Sequence, residues 1–144
     1  MNPTGPLEVK VAAFKLIARD ALRMNMISPR LSAIATLENR ITDITKSKNE
    51  VNHSILVNNY EISKLDTGHP DYEAMKAEKN EIVTRATETL KGYDESITNI
   101  QKDIDEQKAG IVKIENGETK VSLDDLNQFV ERLVKEDAFK QVNQ

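Results

Sequence analysis

The chain has 144 residues, the length of one ordinary domain, and a formal net charge of −4 at pH 7. It contains no cysteine, which excludes disulfides and thiolate metal sites, and no apolar run long enough for a transmembrane helix. Charged residues make up 31% of the sequence and aromatic residues only 4%, which favours paired helices over a thick globular core. We therefore expect a mainly α fold that forms a single elongated domain over residues 1–144.

The first predicted element is a basic amphipathic helix in residues 1–28. Pro6 suits the first turn of a helix, and apolar side chains then follow on one side at helical spacing. Residues 1–30 carry five basic and two acidic side chains, so the negative charge belongs to the rest of the chain. This asymmetry predicts an end that docks onto an acidic surface. The basic side chains of this helix are the first set of interaction candidates: Lys10, Lys15, Arg19 and Arg23.

A long antiparallel two-helix coiled-coil hairpin is predicted for residues 29–109, with its tip at 66–70. In its first half, apolar side chains recur at alternating spacings of three and four, the heptad pattern of a coiled coil. Whether Pro29 marks a sharp turn or a kink is open, since proline is compatible with both. Gly68 is expected to end the first half in a left-handed conformation. The first heptad series is Ile34, Leu37, Ile41, Ile44, Lys48, Val51, Ile55, Asn58, Ile62 and Leu65.

The second half carries a matching series that begins after the tip. Its step Ile82–Ala86–Leu90 contains two spacings of four, which predicts a local relaxation of the supercoil. The second heptad series is Tyr72, Met75, Lys79, Ile82, Ala86, Leu90, Tyr93, Ile97, Ile100, Ile104, Gln107 and Ile111.

The two halves are expected to fold back on each other, and parallel self-association is the alternative. In the antiparallel hairpin, facing residues have numbers that add up to about 137. Polar residues then meet polar residues: Arg30 faces Gln107, Asn58 faces Lys79, and Lys48 faces Thr89. Because polar residues at heptad positions disfavour other registers, we expect four of them to set the register: Lys48, Asn58, Lys79 and Thr89.

A small β-hairpin is predicted for residues 110–122. Gly110 is expected to end the preceding helix, after which apolar and polar residues alternate. The pair Asn116–Gly117 fits a type I′ turn, which places Val112 opposite Val121.

The last predicted element is a C-terminal helix in residues 123–144. Ser122 and Asp125 form a start that resembles a capping box. The predicted apolar face of this helix consists of Leu126, Phe129, Val130 and Leu133.

No sequence pattern predicts catalysis, a metal site or a cofactor. His53 and His69 are far apart in sequence, and no carboxylate cluster surrounds either one at metal-ligand spacing. The glycines are isolated and form no phosphate-binding loop. We therefore expect a non-enzymatic protein with no catalytic residue and no cofactor.

Three functional hypotheses follow from these elements. The leading hypothesis is a structural or adaptor protein, either a homo-oligomer or a subunit of a larger symmetric assembly such as a phage or viral particle, because copies of the chain would cover its apolar faces. The second is a regulatory or chaperone-like module that inserts its hairpin tip into a protein partner. The tip supplies the second set of interaction candidates: Asp66, His69, Asp71 and Glu73.

The third hypothesis is a binder of an anionic surface, nucleic acid or membrane, through the basic N-terminal helix. Nucleic acid is disfavoured because no aromatic residues interleave the basic ones. We expect the protein in the cytoplasm or within a viral particle, since no signal peptide is recognisable.

Overall fold

The structure is a computed structural model that describes residues 7–142. It contains three helices: α1 (Leu7–Ser63), α2 (Tyr72–Glu115) and α3 (Leu123–Val142). Residues 7–142 contain no β-strand, so the mainly α prediction is confirmed and the predicted β-hairpin is wrong. The backbone divides into two compact units. One is Ile34–Asp105, and the described residues of the other are 7–33 and 106–142. The single elongated domain stays a prediction.

Pro29 lies inside α1 and neither ends nor begins a helix. Proline has no backbone N–H, so the carbonyl of Asn25 loses its usual intrahelical donor, and a proline inside a helix costs about 3 kcal/mol. Ile27 and Ile34, on either side of Pro29, are both buried. Burial of two isoleucines is worth about 3–6 kcal/mol, enough to offset the cost of the proline.

The unit Ile34–Asp105 is an antiparallel helical hairpin, as predicted. Lys48 Nζ forms an ion pair with Asp94 Oδ1 at 2.6 Å, and Lys79 pairs with Glu61 closer to the tip. Residue numbers rise along one helix as they fall along the other, so the two helices run in opposite directions. All ten members of the first heptad series are buried or half-buried, nine of them on α1 and Leu65 just after its end, which confirms this apolar face.

The second heptad series differs from the prediction at one position. Ile82 has 42% of its surface exposed, whereas its neighbour Val83 is half-buried. With Val83 in the series, the spacing from Lys79 to Ile104 alternates strictly between four and three. The two consecutive spacings of four therefore move from Ile82–Ala86–Leu90 to Met75–Lys79–Val83, and the relaxation of the supercoil is no longer expected at the predicted position.

In place of the predicted β-hairpin, α2 continues through Gly110 to Glu115. Ile111 and Ile114 extend the heptad spacing of α2, and Ile114 is fully buried. The α-helix therefore continues the apolar face that the β-hairpin would interrupt. Val112, which was expected to face Val121, is exposed.

Asn116–Gly117 ends α2 instead of forming a turn between strands. Gly117 has φ +81°, and its N–H donates to the carbonyl of Ile114 at 3.3 Å. The N–H of Thr119 donates to the carbonyl of Lys113 at 3.0 Å. Both a type I′ turn and a helix C-terminus use a left-handed glycine, so the dipeptide alone does not distinguish them.

Two other glycines also differ from their predicted roles. Gly110 lies within α2, and a Cβ there would overlap the guanidinium of Arg30. Arg30 Nη1 donates a hydrogen bond to Gln107 Oε1 at 3.2 Å, which confirms that these two residues face each other. Gly117 is the only residue between positions 7 and 142 with positive φ, so the left-handed conformation expected for Gly68 is wrong.

The helix α3 packs on the first part of α1. Ser122 Oγ accepts a hydrogen bond from the N–H of Asp125 at 3.4 Å, as expected for an N-cap. Near the other end of α3, Asp137 Oδ2 lies 3.3 Å from Lys10 Nζ, so α3 runs antiparallel to α1. The predicted apolar face of α3 is confirmed by the core that it forms with α1: Phe14, Ala18, Leu126 and Val130, flanked by Phe129 and Leu133.

Candidate functional site

The predicted basic stripe of α1 is divided by the structure. Lys10 is paired with Asp137, and Lys15 is exposed. Arg19 and Arg23 are half-buried and lie together on the side of α1 that faces the loop between α2 and α3. Only these last two of the four basic candidates therefore share a concave surface.

A pocket of about 430 Å³ combines these two arginines with the loop before α3. Lys120 adds a third cation, and none of the described residues that line the pocket carries a carboxylate. Lys120 was not among the sequence-predicted interaction candidates because it fell within the predicted β-hairpin of residues 110–122. We call this site the basic pocket. Its lining is Arg19, Arg23, Gly117, Thr119, Lys120, Val121, Leu123 and Leu126.

At the hairpin tip, two of the four candidates bond to the tip's own backbone. Asp66 Oδ1 accepts a hydrogen bond from the N–H of Gly68 at 2.9 Å, and His69 Nδ1 accepts one from the N–H of Asp71 at 3.0 Å. Asp71 and Glu73 are exposed. These bonds give Asp66 and His69 a role in shaping the turn into α2. Capture of a partner by the tip stays a prediction.

The four register candidates are not bonded to one another. Lys48 and Lys79 pair with Asp94 and Glu61, and Asn58 Nδ2 donates to the carbonyl of Ser54 in its own helix. Thr89 is exposed and donates to the carbonyl of Arg85, while Leu90 occupies the half-buried heptad position. The lysines therefore meet carboxylates on the facing helix rather than the predicted polar partners. Their effect on register stays a prediction.

The heptad series of α1 extends beyond the part that α2 covers. Arg30 bonds to Gln107, and α2 ends eight residues later at Glu115. In this register Glu115 lies opposite Leu22, so only the heptad positions from Asp20 toward the start of α1 have no α2 residue opposite them. Counted toward the N-terminus from Arg30, the series continues with Ile27, Arg23, Asp20, Leu16, Ala13 and Val9.

Four large apolar side chains lie exposed along this side of α1. Their exposed fractions lie between 51% and 63%, and their spacings of seven, eight and seven residues keep them on one face of the helix. We call this surface the outer face of α1. Its members are Val9, Leu16, Met24 and Leu31.

No family model matches this chain, and no curated protein or solved structure matches it either. Between residues 7 and 142, no group of three or more His, Asp or Glu side chains is arranged to hold a metal ion. No helix in the same range is both long and apolar enough to span a membrane. The outer face of α1 and the basic pocket are the candidate functional surfaces.

Proposed function

We propose that this chain is a non-enzymatic structural subunit that assembles with copies of itself through the outer face of α1. The observation that carries the proposal is the exposed apolar surface at Val9, Leu16 and Met24, of which Val9 and Leu16 lie beyond the end of α2. Large apolar side chains exposed at this spacing on one face of a helix are typical of a helix–helix interface.

The spacing of this face favours a second copy as the partner. Val9 lies seven residues before Leu16, and Met24 lies eight residues after it, so the face is nearly symmetric about Leu16. When two copies pair antiparallel about a two-fold axis at Leu16, Val9 of each copy meets Met24 of the other. Ala12 and Ala13 leave room for a close approach of the two helices.

The free energy expected from this contact is that of a weak dimer. Complete burial of a Leu, Val or Met side chain is worth about 1.5–3 kcal/mol, and half-exposed ones contribute about 1 kcal/mol each. Six such side chains at a two-fold contact give about 6 kcal/mol, close to the lower end of the cost of association, about 4–15 kcal/mol. A single contact is therefore weak, and it becomes stable when an assembly such as a virus particle repeats it.

Cysteine cross-linking tests the two-fold contact, because the natural chain contains no cysteine. Leu16→Cys should form a disulfide-linked dimer on mild oxidation, because the two positions meet at the axis. Val9→Cys and Met24→Cys should cross-link poorly alone and efficiently when the two variants are mixed. The matched control is Leu56→Cys, at a position 67% exposed in the other unit.

Sedimentation of the natural chain provides the independent measurement. We expect weak, reversible self-association that increases with protein concentration, because the contact barely exceeds the cost of association. Leu16→Glu should abolish this association, and Leu56→Glu should leave it intact. A monomer at every concentration, or equal cross-linking at positions 16 and 56, would contradict the proposal.

A further inference from the structure

The basic pocket brings together three cations from two parts of the chain. Arg19 and Arg23 are one turn apart on α1, and Lys120 belongs to the loop before α3. All three belong to the unit of residues 7–33 and 106–142. Like charges at such a site repel one another, and attraction to an anion bound between them outweighs this repulsion.

The carboxylates near this pocket leave its arginines largely unpaired. Arg19 and Lys120 have no acidic partner within 4.0 Å among residues 7–142. Arg23 Nη1 lies 4.0 Å from Asp20 Oδ1, beyond hydrogen-bond length, and the Asp20 side chain is 79% exposed. The guanidinium groups therefore keep free N–H donors.

The donor set and the lining indicate the kind of ligand. Two guanidinium groups with an ammonium group are the donors that proteins use to hold phosphate, because each guanidinium presents paired N–H groups to two oxygens. Val121, Leu123 and Leu126 line the rest of the pocket. The volume of about 430 Å³ lies in the range of small-molecule sites, about 300–1,000 Å³.

We propose that the basic pocket binds a phosphomonoester, with the phosphate group held by Arg19, Arg23 and Lys120 and the organic group against Val121, Leu123 and Leu126. Leu16 and Met24 do not line this pocket, so the inference is independent of the proposed self-assembly.

Titration of the full-length ¹⁵N-labelled chain tests the proposal by NMR. The probes are inorganic phosphate and phenyl phosphate at constant ionic strength, with chloride as the control anion. We expect saturable shifts in the side-chain N–H signals of Arg19 and Arg23 and in the amides of residues 117–123. Phenyl phosphate should bind more tightly than phosphate, because its ring covers apolar lining.

Charge-removing variants separate the pocket from a general basic surface. Arg19→Gln should weaken phenyl phosphate binding about tenfold or more, since a charged hydrogen bond is lost. Lys15→Gln removes the same charge from the same helix outside the pocket and should change affinity less than about twofold, because exposed charges interact weakly. Lys120→Gln, in an exposed loop, provides a second test if circular dichroism shows that Arg19→Gln does not fold.

Three results would overturn the proposal. They are shifts that fail to saturate, equal losses of affinity in Lys15→Gln and Arg19→Gln, and phosphate shifts of the same size spread over cations outside the pocket. A fourth such result is binding of a duplex DNA oligonucleotide that depends equally on Lys15 and Arg19, because it would indicate an extended basic surface instead of a pocket.

Discussion

Replacement of Gly110 by alanine tests the contact that joins the two long helices near Arg30. Gly110 is inside α2, and a Cβ there would overlap the guanidinium of Arg30. The distance from this Cβ to Arg30 Nε would be 3.0 Å. The guanidinium would have to leave its position, and its hydrogen bond to Gln107 Oε1, 3.2 Å long, would be lost.

Two opposing terms determine the change in the free energy of unfolding for Gly110→Ala. Alanine is favoured over glycine inside a helix by about 0.8–1 kcal/mol. Loss of a hydrogen bond to a charged group costs about 1.5–3 kcal/mol, and partial exposure of Arg30 brings this toward the lower end. We therefore expect a net destabilisation of about 0.5–1 kcal/mol.

Gly92 is the matched control because it lies in the same helix and a Cβ there would meet nothing within 4 Å. Gly92→Ala should stabilise the chain by about 0.8–1 kcal/mol. Urea unfolding followed by circular dichroism measures both variants. In an Arg30→Ala background, Gly110→Ala should also become stabilising, which gives a coupling energy of about 1.5–2 kcal/mol between the two sites. Equal stabilisation by alanine at Gly92 and Gly110 in the natural background would refute this account of Arg30.

Two further predictions concern the corrected parts of the fold. Gly117→Ala should destabilise the chain by about 1–2 kcal/mol, because φ is +81° and a Cβ is unfavourable there; stabilisation like that of Gly92→Ala would contradict it. Val83→Asn should lower the free energy of unfolding by about 1–2 kcal/mol and Ile82→Asn by about 0.5 kcal/mol or less, because Val83 is half-buried and Ile82 is largely exposed. Urea denaturation measures the free energy of unfolding of all three variants. A larger loss of this free energy in Ile82→Asn than in Val83→Asn would support the heptad series predicted from the sequence instead.

Heptad spacing predicted the helical hairpin because burial on a coiled coil repeats over many residues. The ten positions from Ile34 to Leu65 all bury surface, so one ambiguous position does not shift the pattern. At Ile82–Val83, by contrast, two β-branched residues of similar hydropathy adjoin each other. Sequence spacing allows either residue to face α1. In the structure Val83 does so, in line with the half-buried residues Lys79 and Ala86 on either side of it.

The error at residues 110–122 has a different physical origin. Alternation over a few residues and an Asn–Gly pair are local signals, and they fit a strand or the end of a helix equally well. The long-range packing of Ile114 favours the helix, and the guanidinium of Arg30, which a Cβ at position 110 would overlap, accounts for a glycine inside it. The same error concealed the basic pocket, since Lys120 joins Arg19 and Arg23 only when α2 ends at Glu115 and a loop leads to α3.

The different lengths of the two long helices determine where free surface remains in the unit of residues 7–33 and 106–142. α1 has 57 residues and α2 has 44, so α2 ends before it covers the first part of α1. α3 packs there on Phe14 and Ala18, which lie on the opposite side of α1 from Val9 and Leu16. Because a single helix covers only one side of its partner, the side at Leu16 stays open. The proposed self-assembly therefore uses the open side of α1 that bears Val9, Leu16 and Met24. The basic pocket lies at the loop between α2 and α3.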